Sequence, residues 1–489
     1  MERANLSSLA RTIFEQALED CNIERAVALR VRVAEAEAGP RAIRIGQHLI
    51  DLDLFKHLRI VAIGKAAPAM LQAFLQRLPL SLGCGLAGVL ISPLRPKHLP
   101  ENFEFFAGGH PMPNEASFAG ARKVLAMLQA LPDSASSTHY TLCLFLISGG
   151  ASAMMELPLD PVITLQDTIL FYRALVHSGA SIREINCVRK HFSAVKGGRL
   201  AIAANGAECL SVLVSDVPSG HLDTIASGPT MPDASTIGEC REVLRRYNLL
   251  DYFPTSVRRF FASSDLPETP KQESLHARTV TLLDADDLAE AARFQAERLG
   301  FYAVIDNTCD DWDYRAASEY LLGRLRALRQ QHARICLISV GEVAVPLPNS
   351  SVGASNDHAD SSIGGRNQHL ALYTATLLEA SDEPVAVLSA GSDGIDGNSL
   401  AAGAVVNGRT VHAESTAPSP GNAPSNHRLH AQAQAALQQF GSYNFFEGTA
   451  GAIMTGPTGN NLRDLRIFLA EPLSCGELQT TTQQIQAVE

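Results

Sequence analysis

Several apolar runs of the sequence end in glycine next to a residue that could take part in chemistry. Ile63 leads into Gly64 and Lys65, and Val214 leads into Ser215 and Asp216. Three further runs lead into the segments Ser148-Gly149-Gly150-Ala151-Ser152, Gly341-Glu342 and Ser392-Asp393-Gly394-Ile395-Asp396. Glycine lets backbone N–H groups approach an anion, and a helix start adds unpaired N–H groups and a favourable dipole. We therefore expect an anion site that contains Lys65, Ser148, Gly149, Gly150 and Ser152.

The carboxylates in these segments indicate a hard metal ion. Mg²⁺ takes one or two protein carboxylates and completes its shell with water and phosphate oxygens. Asp216, Asp393 and Glu342 are the candidate ligands. An anion site, a lysine and such carboxylates together favour phosphoryl transfer from a nucleotide. Each signal is weak alone, because Lys65 lacks the following Ser or Thr of a Walker A loop and Asp216 could simply cap a turn.

Basic residues stand beside these segments. Arg366 follows two glycines, and its fork of N–H donors suits a carboxylate or a phosphate. The segment 183–191 contains Arg189 and Lys190 and leads to Lys196 and a Gly-Gly pair. It is either a solvated helix face or a positive wall over the anion site. The histidines, including His110, show no metal-ligand spacing, and we expect them to be structural.

The elements that must hold these residues alternate between apolar strands and helices. Runs such as 59–63, 140–147 and 210–214 are near-continuously apolar, which is typical of strands in an α/β fold with both sheet faces covered. Ligands bind beyond the carboxyl ends of such strands, so we expect all five glycine-containing segments at the same sheet edge. The sequence predicts two α/β domains, residues 1–262 and 278–489, joined by a Pro- and Ser-containing linker near 263–277.

Composition excludes several classes of protein. The 489 residues carry 40 Lys and Arg against 51 Asp and Glu, and the net charge of −11 disfavours binding to nucleic acid or to an anionic membrane. No apolar run reaches the length of a bilayer span. The nine cysteines form no CxxC pair and resemble core residues in a reducing compartment. We therefore expect a cytoplasmic protein.

The motifs, taken in chain order, resemble class II glycerate kinases. The resemblance to their N-terminal domain is carried by Gly64-Lys65-Ala66-Ala67, His110-Pro111-Met112-Pro113, Ser148-Gly149-Gly150-Ala151-Ser152, the segment from Glu184 to His191, Lys196-Gly197-Gly198-Arg199 and Ser215-Asp216-Val217. The second half is similar to the companion MOFRL domain, through Gly341-Glu342, Gly364-Gly365-Arg366-Asn367, Ser392-Asp393-Gly394-Ile395-Asp396-Gly397 and Thr455-Gly456-Pro457-Thr458-Gly459.

The resemblance implies an ATP- and Mg²⁺-dependent kinase that phosphorylates D-glycerate at the 2-hydroxyl. It implies an active site in a cleft between a larger Rossmann-like N-terminal domain with a mostly parallel sheet and a smaller C-terminal α/β domain. Lys65 and Arg366 fall on the family's two central motifs, and we expect Arg366 to clamp the substrate carboxylate or the moving phosphoryl group. Asp216 is expected to accept the hydroxyl proton or to bind Mg²⁺. The remaining motif residues expected to bind substrate or phosphate are Asn186, Arg189, Lys190 and Lys196.

This sequence departs from the family pattern at several positions, two of which lose a hydroxyl group, and two rival functions stay open. Ala344 and Asn460 stand where the family usually has hydroxyl residues, which could change contacts to the nucleotide. The first rival is a hydroxypyruvate reductase, whose dinucleotide would need a Gly-x-Gly-x-x-Gly pattern after a strand. That pattern occurs at 83–88 but runs into a predicted strand. The second rival is a non-catalytic sensor of a small acid, which would gain nothing from Asp216 and Asp393. A homodimer is possible.

Overall fold

The protein forms two compact α/β units. The structure, a computed structural model, describes residues 5–34, 41–79, 84–131, 140–204, 206–218, 220–275, 277–346, 363–412, 425–447 and 449–472. Residues Ile23–Asp284 form the N-terminal unit, and Met1–Asn22 together with Ala285–Glu489 form the C-terminal unit. No helix among the described residues is long and apolar enough to cross a bilayer.

The N-terminal unit contains a small antiparallel sheet and a six-stranded parallel sheet. Its strands are β1 (Val31–Val33), β2 (Ala42–Ile45), β3 (His48–Asp51), β4 (Phe55–Ile63), β5 (Gly85–Ser92), β6 (Phe103–Ala107), β7 (Tyr140–Ile147), β8 (Glu208–Val214) and β9 (Arg278–Leu283). The large sheet has the order β6-β5-β4-β7-β8-β9, and every neighbouring pair in it is parallel. The predicted parallel sheet of the N-terminal domain is therefore confirmed.

Helices cover this sheet because its central strands are apolar on both faces. All residues of β7 after Tyr140 are buried. The helices of the unit are α2 (Ile23–Arg30), α3 (Ala67–Leu75), α4 (Glu115–Gln129), α5 (Ala151–Met154), α6 (Leu165–Val176), α7 (Ile182–Phe192), α8 (Arg199–Ala203), α9 (Ile237–Arg246), α10 (Leu249–Tyr252) and α11 (Thr255–Ala262). Together they enclose two apolar cores, one against the sheet and one rich in phenylalanine between α6, α7 and α11.

The C-terminal unit contains a mixed six-stranded sheet. Its helices are α1 (Leu6–Asp20), α12 (Ala285–Arg298), α13 (Tyr314–Arg329), α14 (Arg366–Leu377), α15 (Ser425–Gln438) and α16 (Ser442–Phe446), and its strands are β10 (Tyr302–Ile305), β11 (Ile335–Gly341), β12 (Val385–Gly391), β13 (Gly403–Val406), β14 (Ala452–Ile453) and β15 (Asp464–Ala470). The order is β10-β11-β15-β12-β13-β14. Only β10 and β11 pair in parallel, because β15 inserts between β11 and β12 in the opposite direction. The α/β fold class is confirmed, and this sheet is the part that is not mostly parallel.

The expectation of one shared edge for all five glycine-containing segments was wrong. Strands β4, β7 and β8 belong to the N-terminal sheet, whereas β11 and β12 belong to the other sheet. Each sheet has its own edge. In the N-terminal sheet Ile63 pairs with Ile147, and Ile147 pairs with Leu213, so these three strands end level with one another.

The division into units also differs from the predicted boundaries. Helix α1 packs against α12, β12 and β15 of the C-terminal unit, although it comes first in the chain. The predicted linker 263–277 lies within the N-terminal unit. Its Leu266, Thr269 and Leu275 are buried there, and β9 then adds the sixth strand to the sheet. Proline and polar residues in this segment therefore mark a packed surface connection, not the boundary.

Candidate functional site

Ser148 fixes the turn that carries Lys65. The Ser148 hydroxyl is buried and accepts a hydrogen bond of 3.0 Å from the Ala66 N–H. The Lys65 N–H donates to the Gly149 carbonyl at 3.0 Å, so the two strand ends are tied together. Gly64 has a φ of +118°, and a methyl group there would lie 2.4 Å from the Ser148 Oγ. The sequence predicted Ser148 as an anion ligand, and the structure uses its hydroxyl to hold the backbone beside Lys65.

Lys65, Gly149, Gly150 and Asp216 lie together at the carboxyl edge of β4, β7 and β8. A methyl group on Gly149 would lie 2.1 Å from the Asp216 Oδ2, and one on Gly150 would lie 3.4 Å from the Lys65 Cγ. Lys65 is exposed and Asp216 is half-buried. Backbone, cation and carboxylate therefore meet here because the two glycines have no side chains. The sequence predicted this grouping of Lys65 with the Gly149–Gly150 segment and Asp216.

His110 is a member of this cluster that the sequence analysis treated as structural. Its Nδ1 would lie 3.5 Å from a methyl group on Gly150, a position that Lys65 also borders. Burial lowers the pKa of His110, and the positive charge of Lys65 lowers it further. The imidazole is consequently neutral near pH 7 and can accept a proton. The sequence could have pointed to His110 as a site residue, because it belongs to the His-Pro-Met-Pro motif that carries part of the family resemblance.

A second group of predicted residues surrounds the short helix α5. The Ser152 Oγ lies 2.9 Å from the Ser227 Oγ, which donates to the Asn186 Oδ1 at 2.9 Å. Asn186 and Ser227 are buried, and Ser152 is half-buried. Helix α7 begins at a capping box formed by Ser181 and Glu184, and Asn186 is one of its buried residues. The structure thus brings Ser152 and Asn186 together through Ser227, which the sequence analysis did not include among the site residues.

Lys190 and Lys196 lie in buried ion pairs. The Lys190 ammonium bonds Asp223 at 2.9 Å and Asp233 at 3.1 Å, and the lysine is 4% exposed. The Lys196 ammonium bonds the Glu156 Oε2 at 2.6 Å, and neither side chain is more than 1% exposed. These positions differ from the predicted substrate contacts. Both ammonium groups already have carboxylate partners and are closed off from solvent.

Arg189 differs from these lysines. Its guanidinium lies over the ring of Tyr172 with 4.4 Å from Cζ to the ring centroid. Its Nε atom is buried and has no hydrogen-bond partner among the described residues. The residue as a whole is only half-buried. Of the basic residues predicted on α7, Arg189 alone presents donors that described side chains do not occupy.

In the C-terminal unit Arg366 is the first residue of α14 and is held by two carboxylates. Its Nε bonds the Asp464 Oδ2 at 2.5 Å and one terminal nitrogen bonds Oδ1 at 3.1 Å. The same terminal nitrogen lies 2.8 Å from the Glu342 Oε1. Burial opposes the charged form of Arg366, but Asp464 and Glu342 raise its pKa above the ordinary value. Arg366 is therefore a permanent cation held between two carboxylates.

Asp464 occupies the centre of this edge and was missed by the sequence analysis. It opens β15 and pairs in register with Gly341 on one side and Gly391 on the other. Burial raises the pKa of the neighbouring Glu342, Arg366 opposes this effect, and Asp464 adds to it. The signal was available, because Asp464 and Arg466 alternate with apolar residues on one face of an otherwise apolar strand.

Asp396 caps helix α14, which explains the paired glycines before Arg366. It accepts hydrogen bonds from the Asn367 N–H at 3.1 Å and the Gln368 N–H at 2.8 Å. Because a helix N-terminus has unpaired N–H groups, this buried carboxylate stabilises the first turn. A methyl group on Gly365 would lie 2.2 Å from the Asp396 Oδ1. The Gly-Gly-Arg-Asn motif thus supplies the start of the helix, and the Asp-Gly-Ile-Asp-Gly motif supplies the carboxylate, Asp396, that caps it.

The structure gives a limited test of the predicted metal ligands. No group of three or more His, Cys, Asp or Glu side chains that could hold a metal ion occurs among the described residues. Mg²⁺ does not need such a group, since one or two carboxylates suffice when phosphate oxygens are present. Asp216 and Asp393 are both half-buried beside glycines at a strand end, which suits such a ligand. Glu342 fits less well because it is paired with Arg366.

Two α/β units, each with charged side chains at one edge of its sheet, define a two-unit α/β protein with a candidate site in each unit. Residues 9–262 match the family described as a domain of unknown function, DUF4147, and residues 335–464 match the MOFRL family. The chain is 34% identical to D-glycerate 2-kinase of Thermotoga maritima over 89% of this chain and 95% of that protein. A crystal structure of a glycerate kinase from the same organism matches with a TM-score of 0.73 and 32% identity, over 95% of this chain and 99% of the other. The chain belongs to the class II glycerate kinase family, as the motifs predicted.

A further relative carries a different name. The chain is 31% identical to a putative hydroxypyruvate reductase of Agrobacterium vitis, over 84% of this chain and 86% of that protein. The Gly-x-Gly-x-x-Gly pattern bears on this alternative. Gly85 and Gly88 lie inside strand β5, while Gly83 lies outside the described residues. A methyl group on Gly88 would lie 2.2 Å from the Phe103 ring, so that glycine serves strand packing.

Proposed function

We propose that this protein is a D-glycerate 2-kinase, which transfers the γ-phosphoryl group of ATP to the 2-hydroxyl of D-glycerate and releases 2-phosphoglycerate and ADP. The observation that carries the proposal is the cluster of Lys65, Gly149–Gly150 and Asp216 at the level ends of β4, β7 and β8. It combines a cation, backbone N–H groups and a carboxylate, which phosphoryl transfer requires. Membership of the glycerate kinase family supports the substrate.

Lys65 is proposed to neutralise the charge that develops on the transferred phosphoryl group. The Lys65 residue is exposed, whereas its backbone is held because its own N–H donates to the Gly149 carbonyl and the Ala66 N–H donates to the Ser148 hydroxyl. A cation on a fixed backbone needs little reorganisation during the reaction, which is how preorganised charges lower a barrier. The N–H groups of the Gly149–Gly150 turn are proposed to bind an anionic oxygen, since no side chain blocks their approach.

Asp216 is proposed either to accept the proton of the 2-hydroxyl or to bind Mg²⁺, and His110 is a second candidate for the proton. Burial and Lys65 both lower the pKa of His110, so its imidazole is unprotonated near pH 7, which is the form that a general base requires. Asp393 and Glu342 are the proposed metal ligands of the C-terminal unit. When bound, Mg²⁺ would neutralise phosphate charge and orient the γ-phosphoryl group. Cytoplasmic location and homodimer formation stay predictions from the sequence.

The reductase and the sensor are the alternatives. The strand position of Gly85 and Gly88 removes the only signal for a dinucleotide turn that the sequence offered. A pure anion sensor does not account for Asp216 at the glycine turn. A relative named as a putative reductase nevertheless makes a direct comparison of the two reactions necessary.

The first test is incubation of the purified protein with D-glycerate, ATP and Mg²⁺, followed by phosphorus NMR. We expect the 2-phosphoglycerate signal. A 3-phosphoglycerate signal would keep the kinase and reject the assigned position. Absence of ADP formation, with NADH consumed on hydroxypyruvate, would reject the kinase in favour of the reductase.

The second test is Lys65→Ala, for which we expect kcat to fall more than ~100-fold because a charge that acts in the transition state is removed. Lys97→Ala, which also removes an exposed lysine of the N-terminal unit, is the matched control and should retain wild-type turnover. Circular dichroism of both variants checks that the fold is intact. Near-normal turnover of a folded Lys65→Ala protein would remove the lysine from the mechanism.

A further inference from the structure

Two arginines predicted to bind anions differ in how their charge is satisfied. Arg366 already bonds Asp464 through two nitrogens and Glu342 through one of them. The Arg189 guanidinium makes no hydrogen bond or ion pair with the described residues, and its Nε is buried without a partner. A buried N–H donor without an acceptor costs free energy, so such a donor is normally satisfied by protein, water or a ligand. Arg189 is therefore the better receptor for an incoming anion.

Tyr172 on α6 holds the Arg189 guanidinium in one place. The tyrosine ring is buried and lies 4.4 Å from the Arg189 Cζ, within the range of a cation–π contact. The Tyr172 hydroxyl donates a short hydrogen bond to Glu156 and lies 3.2 Å from the Ser152 carbonyl oxygen. The ring is thus anchored at its far end to the segment that follows Gly149–Gly150. A guanidinium that stacks on an anchored ring presents its terminal N–H groups in a fixed plane.

The charges around Tyr172 also favour an anion. Lys196 and Glu156 form a buried ion pair, and Glu156 accepts the hydrogen bond from the Tyr172 hydroxyl. Adding Arg189 gives two cations and one carboxylate in this cluster, which leaves one positive charge in excess. Burial lowers the pKa of Lys196, Glu156 opposes this effect, and Arg189 lowers the pKa further. The two cations therefore interact, and a bound carboxylate would relieve their repulsion.

We propose that Arg189 is the subsite for the carboxylate of D-glycerate, with Tyr172 as the positioning residue that orients its guanidinium. The sequence analysis expected Arg366 to bind the substrate carboxylate or the phosphoryl group, and this proposal gives the carboxylate contact to Arg189 instead. The proposal rests on the proposed function for the identity of the substrate. Planar guanidinium and planar carboxylate match in a two-bond geometry, whereas the rest of D-glycerate is neutral. Binding of the carboxylate would also separate D-glycerate from neutral polyols.

The test compares D-glycerate with its uncharged amide, glyceramide, in the wild type and in Arg189→Gln. A hydrogen-bonded charge contact accounts for about a 10- to 100-fold difference in affinity. We expect Arg189→Gln to raise KM for D-glycerate by that factor and to leave KM for glyceramide and for ATP unchanged. Arg183→Gln, which changes an exposed arginine on the same helix, is the control and should keep the wild-type preference for the acid.

Two further variants separate the subsite from a general loss of structure. Tyr172→Phe keeps the ring and should retain most of the preference, whereas Tyr172→Leu removes the stacking surface and should lose it. Arg189→Lys keeps the charge but not the plane, and we expect it to restore only part of the preference. Arg366→Gln should lower turnover of both substrates alike and keep the preference. If Arg366→Gln lost the preference and Arg189→Gln kept it, the assignment would be overturned.

Calorimetry distinguishes failure of this subsite from failure of the proposed function. Binding of D-glycerate alone is measured for the wild type and for Arg189→Gln, without ATP. If the wild type turns over D-glycerate and Arg189→Gln prefers D-glycerate over glyceramide as strongly as the wild type does, the kinase would stand and the subsite would be rejected. Absence of wild-type turnover, together with D-glycerate binding that is lost in Arg189→Gln, would keep the subsite and reject the kinase.

Discussion

Replacement of Lys196 by methionine distinguishes a buried structural lysine from a substrate contact. The sequence placed Lys196 among the substrate-binding residues, whereas the structure pairs it with Glu156 in the core of the N-terminal unit. Methionine keeps the length and the apolar stem of the side chain but removes the charge. Glu156 then stays behind, fully buried, without its only ammonium partner among the described residues.

The expected magnitude follows from the contacts that remain. Removing one partner of a buried ion pair costs ~3–5 kcal/mol, because the other charge is left without compensation. Glu156 still accepts hydrogen bonds from Tyr172, from the Ser193 hydroxyl and from the Leu157 N–H at 2.8 Å. These donors place the cost at the lower end, ~3 kcal/mol. For a unit of this size, ~2–4 °C per kcal/mol predicts a Tm lower by roughly 6–12 °C.

The assay is differential scanning calorimetry together with steady-state kinetics. Lys196→Met should lower the Tm of the N-terminal unit, and the double variant Glu156→Gln/Lys196→Met should recover part of the loss since no unpaired charge remains. Lys123→Met is the control, because Lys123 pairs with Glu104 in an exposed position where an ion pair contributes at most ~1 kcal/mol. Below the melting temperature, we expect KM for D-glycerate to rise by less than ~10-fold, because Lys196 favours the anion only through the net charge of the cluster around Tyr172 and not by direct contact.

One result would refute this reasoning. If Lys196→Met melted with the wild type and raised KM for D-glycerate more than ~10-fold, the ammonium would contact substrate, as the sequence predicted. The buried pair would then not exist in the working enzyme.

Gly365→Ala should destabilise the C-terminal unit by ~1–3 kcal/mol and lower kcat. The reason is that the new methyl group would overlap the Asp396 carboxylate, which caps the helix that begins with Arg366. Chemical denaturation measures the stability, and a turnover assay measures kcat. Its control is Gly323→Ala, where a methyl group meets nothing within 4 Å and helix propensity should stabilise α13 slightly, by ~0.5–1 kcal/mol. His369→Leu should flatten the acid side of the stability profile. Burial lowers the pKa of His369 to about 4, so the unfolded chain binds its proton first, and this contribution to stability is present above pH ~6.5 and lost as pH falls towards 4. In urea titrations at pH 7 and pH 4.5, the difference between wild type and variant should change by on the order of 2–3 kcal/mol, and a constant difference would exclude the histidine.

The sequence was sufficient for the N-terminal strands and for the cluster at Lys65. Near-continuous apolar runs such as 140–147 become strands because both faces of a central parallel strand are covered. The glycines at 149 and 150 were informative because close approach of backbone, lysine and carboxylate leaves no room for a side chain. Local residue types therefore determined what lies at this edge.

Burial was the property that the sequence could not show. Lys190 and Lys196 stand in the same basic motif as Arg189, and only the positions of Asp233 and Glu156 in three dimensions reveal that both lysines are already neutralised. The reversed direction of β15 was missed for a related reason. A strand that pairs between two distant strands has no local pattern that gives its direction, so the partnership of Arg366 with Asp464 could not be inferred.

The position of β15 in the centre of its sheet has a consequence for how the chain folds during synthesis. Neither β11 nor β12 has its inner neighbour until residues 464–470 leave the ribosome, and α1, made first, packs against that same strand. At ~5–20 residues per second, α1 waits on the order of tens of seconds for this strand, whereas α12, which it also contacts, is made earlier. The N-terminal unit, contained in residues 23–284, can fold in the meantime. During this interval the part of α1 that packs against β15 lacks its neighbour, and a chaperone could bind there.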